Sequence, residues 1–135
     1  MGAVIVARAF WVIVFQSNVA LFRLGLSNPA GIDGYLAELI LGLPIVLLVP
    51  VFTFAAGYLI AGLLLITGRW WAGIVYLGAL LIDAGVWVFM TTVDEYRFIY
   101  SGNAGLVDLM FNLFDFSVLM FLVVWGLRER RRALG

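Results

Sequence analysis

Apolar residues run almost unbroken along this chain, and the few polar positions divide them into four stretches of membrane-spanning length. A helix needs about 20 mostly apolar residues to cross roughly 30 Å of hydrocarbon. The first stretch runs from about Val4 to Leu24, bracketed by Arg8 and Arg23, with Gln16 and Asn18 inside it. The next, Leu36 to Thr67, would reach about 48 Å as one straight helix, too long for a single crossing. Proline lacks a backbone donor and clashes with the preceding turn, so Pro44 and Pro50 are the candidate breaks. The pattern therefore predicts a short interfacial helix over 35–43, then a span over 44–67 with a candidate kink at Pro50. Gly68-Arg69 is the turn into a third span over 70–92. An exposed loop carrying Asp94, Glu95 and Arg97 leads to a fourth span over 104–127, and a polar tail from Arg128 to Gly135 follows. The expected fold class is all-α: an integral membrane four-helix bundle in a single domain, with the interfacial helix between the first and second spans.

Composition agrees and narrows the chemistry. Of 135 residues, 65% are hydrophobic and only 12% charged, whereas soluble domains are roughly 45–50% apolar and about 25% charged. A water-soluble monomer is excluded. Net charge is zero, so there is no basic field to hold nucleic acid. The absence of cysteine and histidine removes disulfides, redox thiols, Cys/His zinc sites and the usual haem ligands, and no metal site or covalent cofactor is expected. In a four-span hairpin, Arg8, Arg69, Arg128, Arg130, Arg131 and Arg132 fall on one side, and Arg23 and Arg97 on the other. Positive-inside counting then places both termini in the cytoplasm. The first stretch is read as a retained span, not a cleaved signal, because its arginine follows only apolar or small residues. The lack of lysine amid abundant arginine, glycine and alanine points to a GC-rich bacterium, hence to a bacterial inner (plasma) membrane. Trp11, Trp70, Trp71 and Trp125 sit near span ends, where aromatic belts form.

Acids inside the bilayer are costly unless paired, neutral or facing a wet cavity, so Asp83, Asp108 and Asp115 mark the candidate site. Asp108, Asn112 and Asp115 share one helix face by their i, i+4, i+7 spacing, as do Gln16, Ala20 and Arg23. At a rise of about 1.5 Å per residue, Asp83, Asp115 and Gln16 reach similar depths near the middle of the membrane. The expectation is a buried polar centre of Gln16, Asp83, Asn112 and Asp115, lined also by Trp87 one turn from Asp83, with Arg23 pairing with Asp108. Two readings stand side by side: polar contacts that only join helices, and a ligand or proton site. Gly57 with Ala61, and Gly78 with Gly85, are small-residue pairs expected to allow close helix approach.

The middle of the chain resembles the DoxX-like family of small four-span membrane proteins. The resemblance lies in the Gly42-Leu43-Pro44 element ending the short helix and the Gly62-Leu63-Leu64-Leu65-Ile66-Thr67-Gly68 element ending the second span. It covers about a third of the chain closely and the four-span plan throughout. One departure matters: the glutamate usual in the family's second span corresponds here to Tyr58. Members are linked to membrane oxidoreductase assemblies, including thiosulfate:quinone oxidoreduction. The resemblance thus implies a helical partner or quinone-side component rather than a catalyst. Three functions are carried forward. First stands a noncatalytic subunit or accessory protein of a larger, bioenergetic membrane complex, with lipids and other membrane subunits or a homo-oligomer as partners. Second stands a binding protein for a hydrophobic small molecule, quinone or lipid, at the polar centre. Proton or small-solute transport comes last, since the two halves show no convincing repeat. Paired carboxylates keep an enzymatic role among the alternatives, but no residue is assigned a catalytic part.

Overall fold

The computed structural model describes residues 1–28, 31–32, 34–92 and 103–135, the side chains of 35, 36, 39, 103–105, 107 and 108 excepted. It is all-helical over these residues. The helices are α1 (Gly2–Arg23), α2 (Gly34–Gly42), a 3-10 turn (Ile45–Leu47), α3 (Leu48–Ile66), α4 (Ala72–Thr92) and α5 (Asn103–Leu134). Four segments, Gly2–Arg23, Ile45–Ile66, Ala72–Thr92 and Leu109–Leu134, are long and apolar enough to cross a membrane. The chain is a multi-pass membrane protein built as a four-helix bundle. The charged loop expected over 93–103 lies, up to residue 102, outside the described residues.

Helix ends follow local chemistry. Pro44 caps the 3-10 turn, and Pro50 then sits in the first turn of α3, where the missing donor has no intrahelical partner in any case. The break therefore falls at Pro44, and the 3-10 turn passes into the α-helix between Leu47 and Leu48, ahead of Pro50. At the far end of α3, Gly68 takes φ +70° while its N–H donates to Leu65 and that of Arg69 to Leu64. This paired arrangement satisfies the last carbonyls and suits glycine. The same closure ends α1 at Gly25, φ +68°, with Gly25 donating to Phe22 and Leu26 to Leu21.

Packing is close where small residues meet. A Cβ on Gly62 would lie 2.8 Å from Val6 Cγ2 and 3.1 Å from the Gly2 carbonyl oxygen, so α1 and α3 nearly touch. Gly57 meets Ala79 across α3 and α4 with equal closeness. Gly78 and Gly85, in contrast, face open space, so the close approach expected of them is absent. The core combines small and aromatic residues, with Ala9, Ala55, Ala61 and Ala79 buried beside Phe54, Tyr58 and Tyr76, and Val118 and Leu122 contributed by α5. A smaller cluster of Val19, Ile32 and Ile40 lays α2 over the far end of α1. Asn28 closes the chain between them, donating to the Ile32 carbonyl at 2.7 Å and accepting from its N–H at 2.8 Å.

The expected polar tail is instead the end of α5, helical to Leu134. No proline or glycine interrupts 127–134, and Glu129 pairs with Arg132 one turn on, at 2.9 Å. The 32 residues of α5 measure about 48 Å, longer than the hydrocarbon is thick, so its last turns project beyond it. There Glu129, Arg130, Ala133 and Leu134 share a groove with Gly68, Arg69 and Trp70. The α3–α4 turn and the end of α5 therefore occupy one end of the bundle.

Candidate functional site

Asp115 is the one buried charged residue among the described residues, 3% exposed. Its carboxylate receives both terminal nitrogens of Arg8: Nη1 on Oδ1, and Nη2 on Oδ2 at 3.0 Å. Tyr76 donates its hydroxyl to Oδ1 at 2.8 Å. A bidentate guanidinium–carboxylate pair matches planar fork to planar acceptor, and the added tyrosine occupies a further lone pair. The Arg8 guanidinium also lies 5.1–5.5 Å from the ring centres of Phe111, Phe114 and Tyr58. Aromatic faces are the apolar surfaces that best tolerate a cation. A charge that would be costly in hydrocarbon thus meets a counter-ion on one side and π faces around it.

A second polar pair lies one layer along the bundle. Tyr58, 4% exposed, donates its hydroxyl to Asp83 Oδ2 at 2.9 Å. Its ring lies 4.9 Å from that of Tyr76 on α4, tilted by 50°, so the two tyrosines that meet the two carboxylates also touch each other. Positions Tyr76, Ala79 and Asp83 follow an i, i+3, i+7 progression that turns one face of α4 inward. Val86, Trp87 and Met90 continue it.

Two cavities adjoin these groups. The first, about 220 Å³, is lined by Arg8, Trp11, Val12 and Gln16 of α1, Phe54 of α3, Asp83 of α4, and Phe111, Asn112 and Asp115 of α5. The second, also about 220 Å³, lies between α1, α2, α3 and α4. Its wall includes Gln16, Val19 and Arg23, with Ile40, Val51, Phe54, Asp83 and Trp87. Gln16, Phe54 and Asp83 belong to both, forming a partition between them. The first cavity brings together Gln16, Asp83, Asn112 and Asp115, but of the four only Asp115 is buried; Gln16 and Asp83 are half-buried and Asn112 is exposed, so the expected buried centre is a polar cleft. Trp87 lines the second only, with Arg23. The Arg23–Asp108 pairing lies outside the described residues, because the Asp108 side chain is among those excepted.

Three participants escape the sequence reading. Arg8 counts there only toward the charge on the cytoplasmic side, whereas it turns inward to Asp115. A signal for this exists: carrying the Gln16–Arg23 face toward the N-terminus by i−4 and i−8 passes through Val12 to Arg8. Tyr58 and Tyr76 read as apolar-span residues, yet each supplies the hydroxyl that meets a carboxylate. Their signal is weaker, a lone hydroxyl in the middle of a span. Comparison with protein-family models, with curated proteins and with solved structures finds no match.

Proposed function

We propose that this chain is a DoxX-like membrane protein that holds a hydrophobic small molecule with a neutral, hydrogen-bond-accepting head, of the quinone or carbonyl-lipid class. The observation that carries the reading is the cavity where Arg8, Gln16, Asp83, Asn112 and Asp115 converge. A cavity of roughly 150 Å³ holds benzene, so about 220 Å³ suits a single ring. The charges select among ring-bearing heads. One guanidinium faces two carboxylates, so an anionic head meets a wall that is neutral at best, and its desolvation is not repaid. A guanidinium has five N–H donors. Two bonds of Arg8 go to Asp115, and among the described residues no other hydrogen bond of Arg8 is present. A carbonyl oxygen fits these remaining donors and the Gln16 amide without adding charge.

The test uses the purified chain in nanodiscs, with a decyl-substituted benzoquinone as probe and decanoate as an anion of matching tail. Trp11 and Trp87 line the two cavities, so binding is read as quenching of tryptophan fluorescence. Saturable quenching by the quinone but not by decanoate is expected. Gln16→Leu, which removes an amide from both cavities, weakens binding by about tenfold, the value of one hydrogen bond of about 1.4 kcal/mol. Quenching that rises linearly with quinone, without saturation, overturns the reading.

A second reading, a noncatalytic helical subunit of a larger membrane complex, draws on α5. Its large side chains at Leu106, Leu109, Leu113, Phe116 and Met120 are all at least half exposed, a face that a neighbouring helix would cover as well as lipid. Gentle extraction that releases only the free monomer overturns this second reading. For placement, the shared end that holds Arg69 and Arg130 supports a bacterial inner membrane orientation with both termini cytoplasmic.

A further inference from the structure

The polar cavity has no room for a tail, so a ligand of the proposed class must project its apolar part elsewhere. Beside the cavity, between α1 and α5, runs an apolar groove of about 530 Å³ lined by Val4, Arg8, Met110, Phe111 and Phe114. Its walls face outward: Val4 is 53% exposed, Met110 70% and Phe111 42%. Arg8 and Phe111 line both the groove and the cavity, so groove and cavity are continuous across these two side chains. Of the two, Arg8 is held by Asp115 through both terminal nitrogens. Phe111 is held on the Arg8 side by one ring–cation contact, at 5.1 Å.

We infer that the cavity is reached sideways from the bilayer through the α1–α5 seam, with Phe111 as the gate and the groove as the seat of the ligand's apolar tail. The inference rests on the ligand-binding reading above. Its occupant follows from continuity and chemistry together. The groove is apolar, opens toward the membrane, and ends on the same guanidinium whose free donors face the head. Exposed side chains change rotamer in nanoseconds or less, so the gate limits passage through the fraction of time it stands open. The ring–cation contact keeps that fraction small.

Stopped-flow quenching with the same decyl-benzoquinone separates a gate from a wall. Phe111→Ala is expected to raise the uptake and release rates together by about tenfold, with a much smaller change in Kd. Val4→Trp, which fills the groove from α1, is expected to slow both. Leu47→Trp, on the far cavity beside α2, is expected to leave the uptake rate unchanged. Faster release alone in Phe111→Ala makes Phe111 a mere contact and overturns the gate. Slower uptake in Leu47→Trp with unaltered rates in Val4→Trp moves the doorway to the α2 end and overturns the seam. These outcomes require saturable binding, so they are distinct from failure of the binding reading, in which the wild-type chain shows no saturable signal and the doorway falls with it.

Discussion

Asp115 shows how a single acid is made tolerable in a bilayer. Breaking a buried ion pair costs about 3–5 kcal/mol because the surviving charge is stranded, whereas replacing the whole pair by apolar groups is often neutral or better. Asp115→Asn should therefore cost several kcal/mol, read as a large drop in thermal midpoint in detergent, since Arg8 keeps its charge without a counter-ion. Tyr76→Phe should cost only about 1 kcal/mol, because Asp115 keeps both guanidinium bonds. The decisive variant combines Arg8→Met, Tyr76→Phe and Asp115→Leu, which leaves no polar group of the cluster unpartnered. Its stability should return to within about 1 kcal/mol of wild type or exceed it. A triple variant as unstable as Asp115→Asn would mean that the cluster holds the fold by more than charge pairing. If the triple variant is stable but no longer binds the quinone, the cluster is retained for its site and not for the fold.

At the scale of elements, glycines divide into those a helix needs and those it merely carries. Gly62 and Gly57 sit where a Cβ would fall 2.8 Å from a neighbouring side-chain carbon; at Gly62, Gly2 and Val6 backbone atoms at 3.1 Å also leave it no way to yield. Gly62→Ala should separate α1 from α3 and destabilise by about 1–3 kcal/mol, the usual cost of overpacking. Gly78→Ala has nothing within 4 Å to meet and should stabilise by about 0.5–1 kcal/mol, because alanine loses less chain entropy in a helix. Thermal midpoints of the two variants should move in opposite directions. Spacing alone gives Gly57 and Gly78 the same reading, since it shows which positions share a face but not which face meets a helix. Element boundaries were otherwise well marked in the chain: Pro44, Gly25 and Gly68 each end or begin a helix for a reason visible in their own backbone chemistry. The end of α5 was not, because a charged segment without proline or glycine serves equally as helix or as solvated tail.

For the whole molecule, the bundle and its four crossings were legible because hydrocarbon thickness sets helix length directly. The polar centre was partly legible, because helical spacing places Gln16, Asp83, Asn112 and Asp115 at shared depths, while the partners of the acids were hidden. An arginine near a span end reaches outward to headgroups or inward to a carboxylate with equal ease, and only packing decides for Arg8. That ambiguity bears on how orientation is set. Arg69, Arg128, Arg130, Arg131 and Arg132 face Arg23 and Arg97 across the chain's hairpin order, a surplus that survives whether Arg8 is counted or not. Four of those five lie at the end of α5. Replacing Arg128, Arg130, Arg131 and Arg132 by glutamine leaves Arg69 alone, or with Arg8, against two arginines on the opposite side. Either count abolishes the bias that orients the chain. C-terminal fusions to a reporter fluorescent only in the cytoplasm, and to a phosphatase active only outside it, should show the wild type uniformly inside and the fourfold variant split between orientations. An undisturbed variant would mean that the first span sets the topology alone, with Arg8 acting during insertion before Asp115 arrives to claim it.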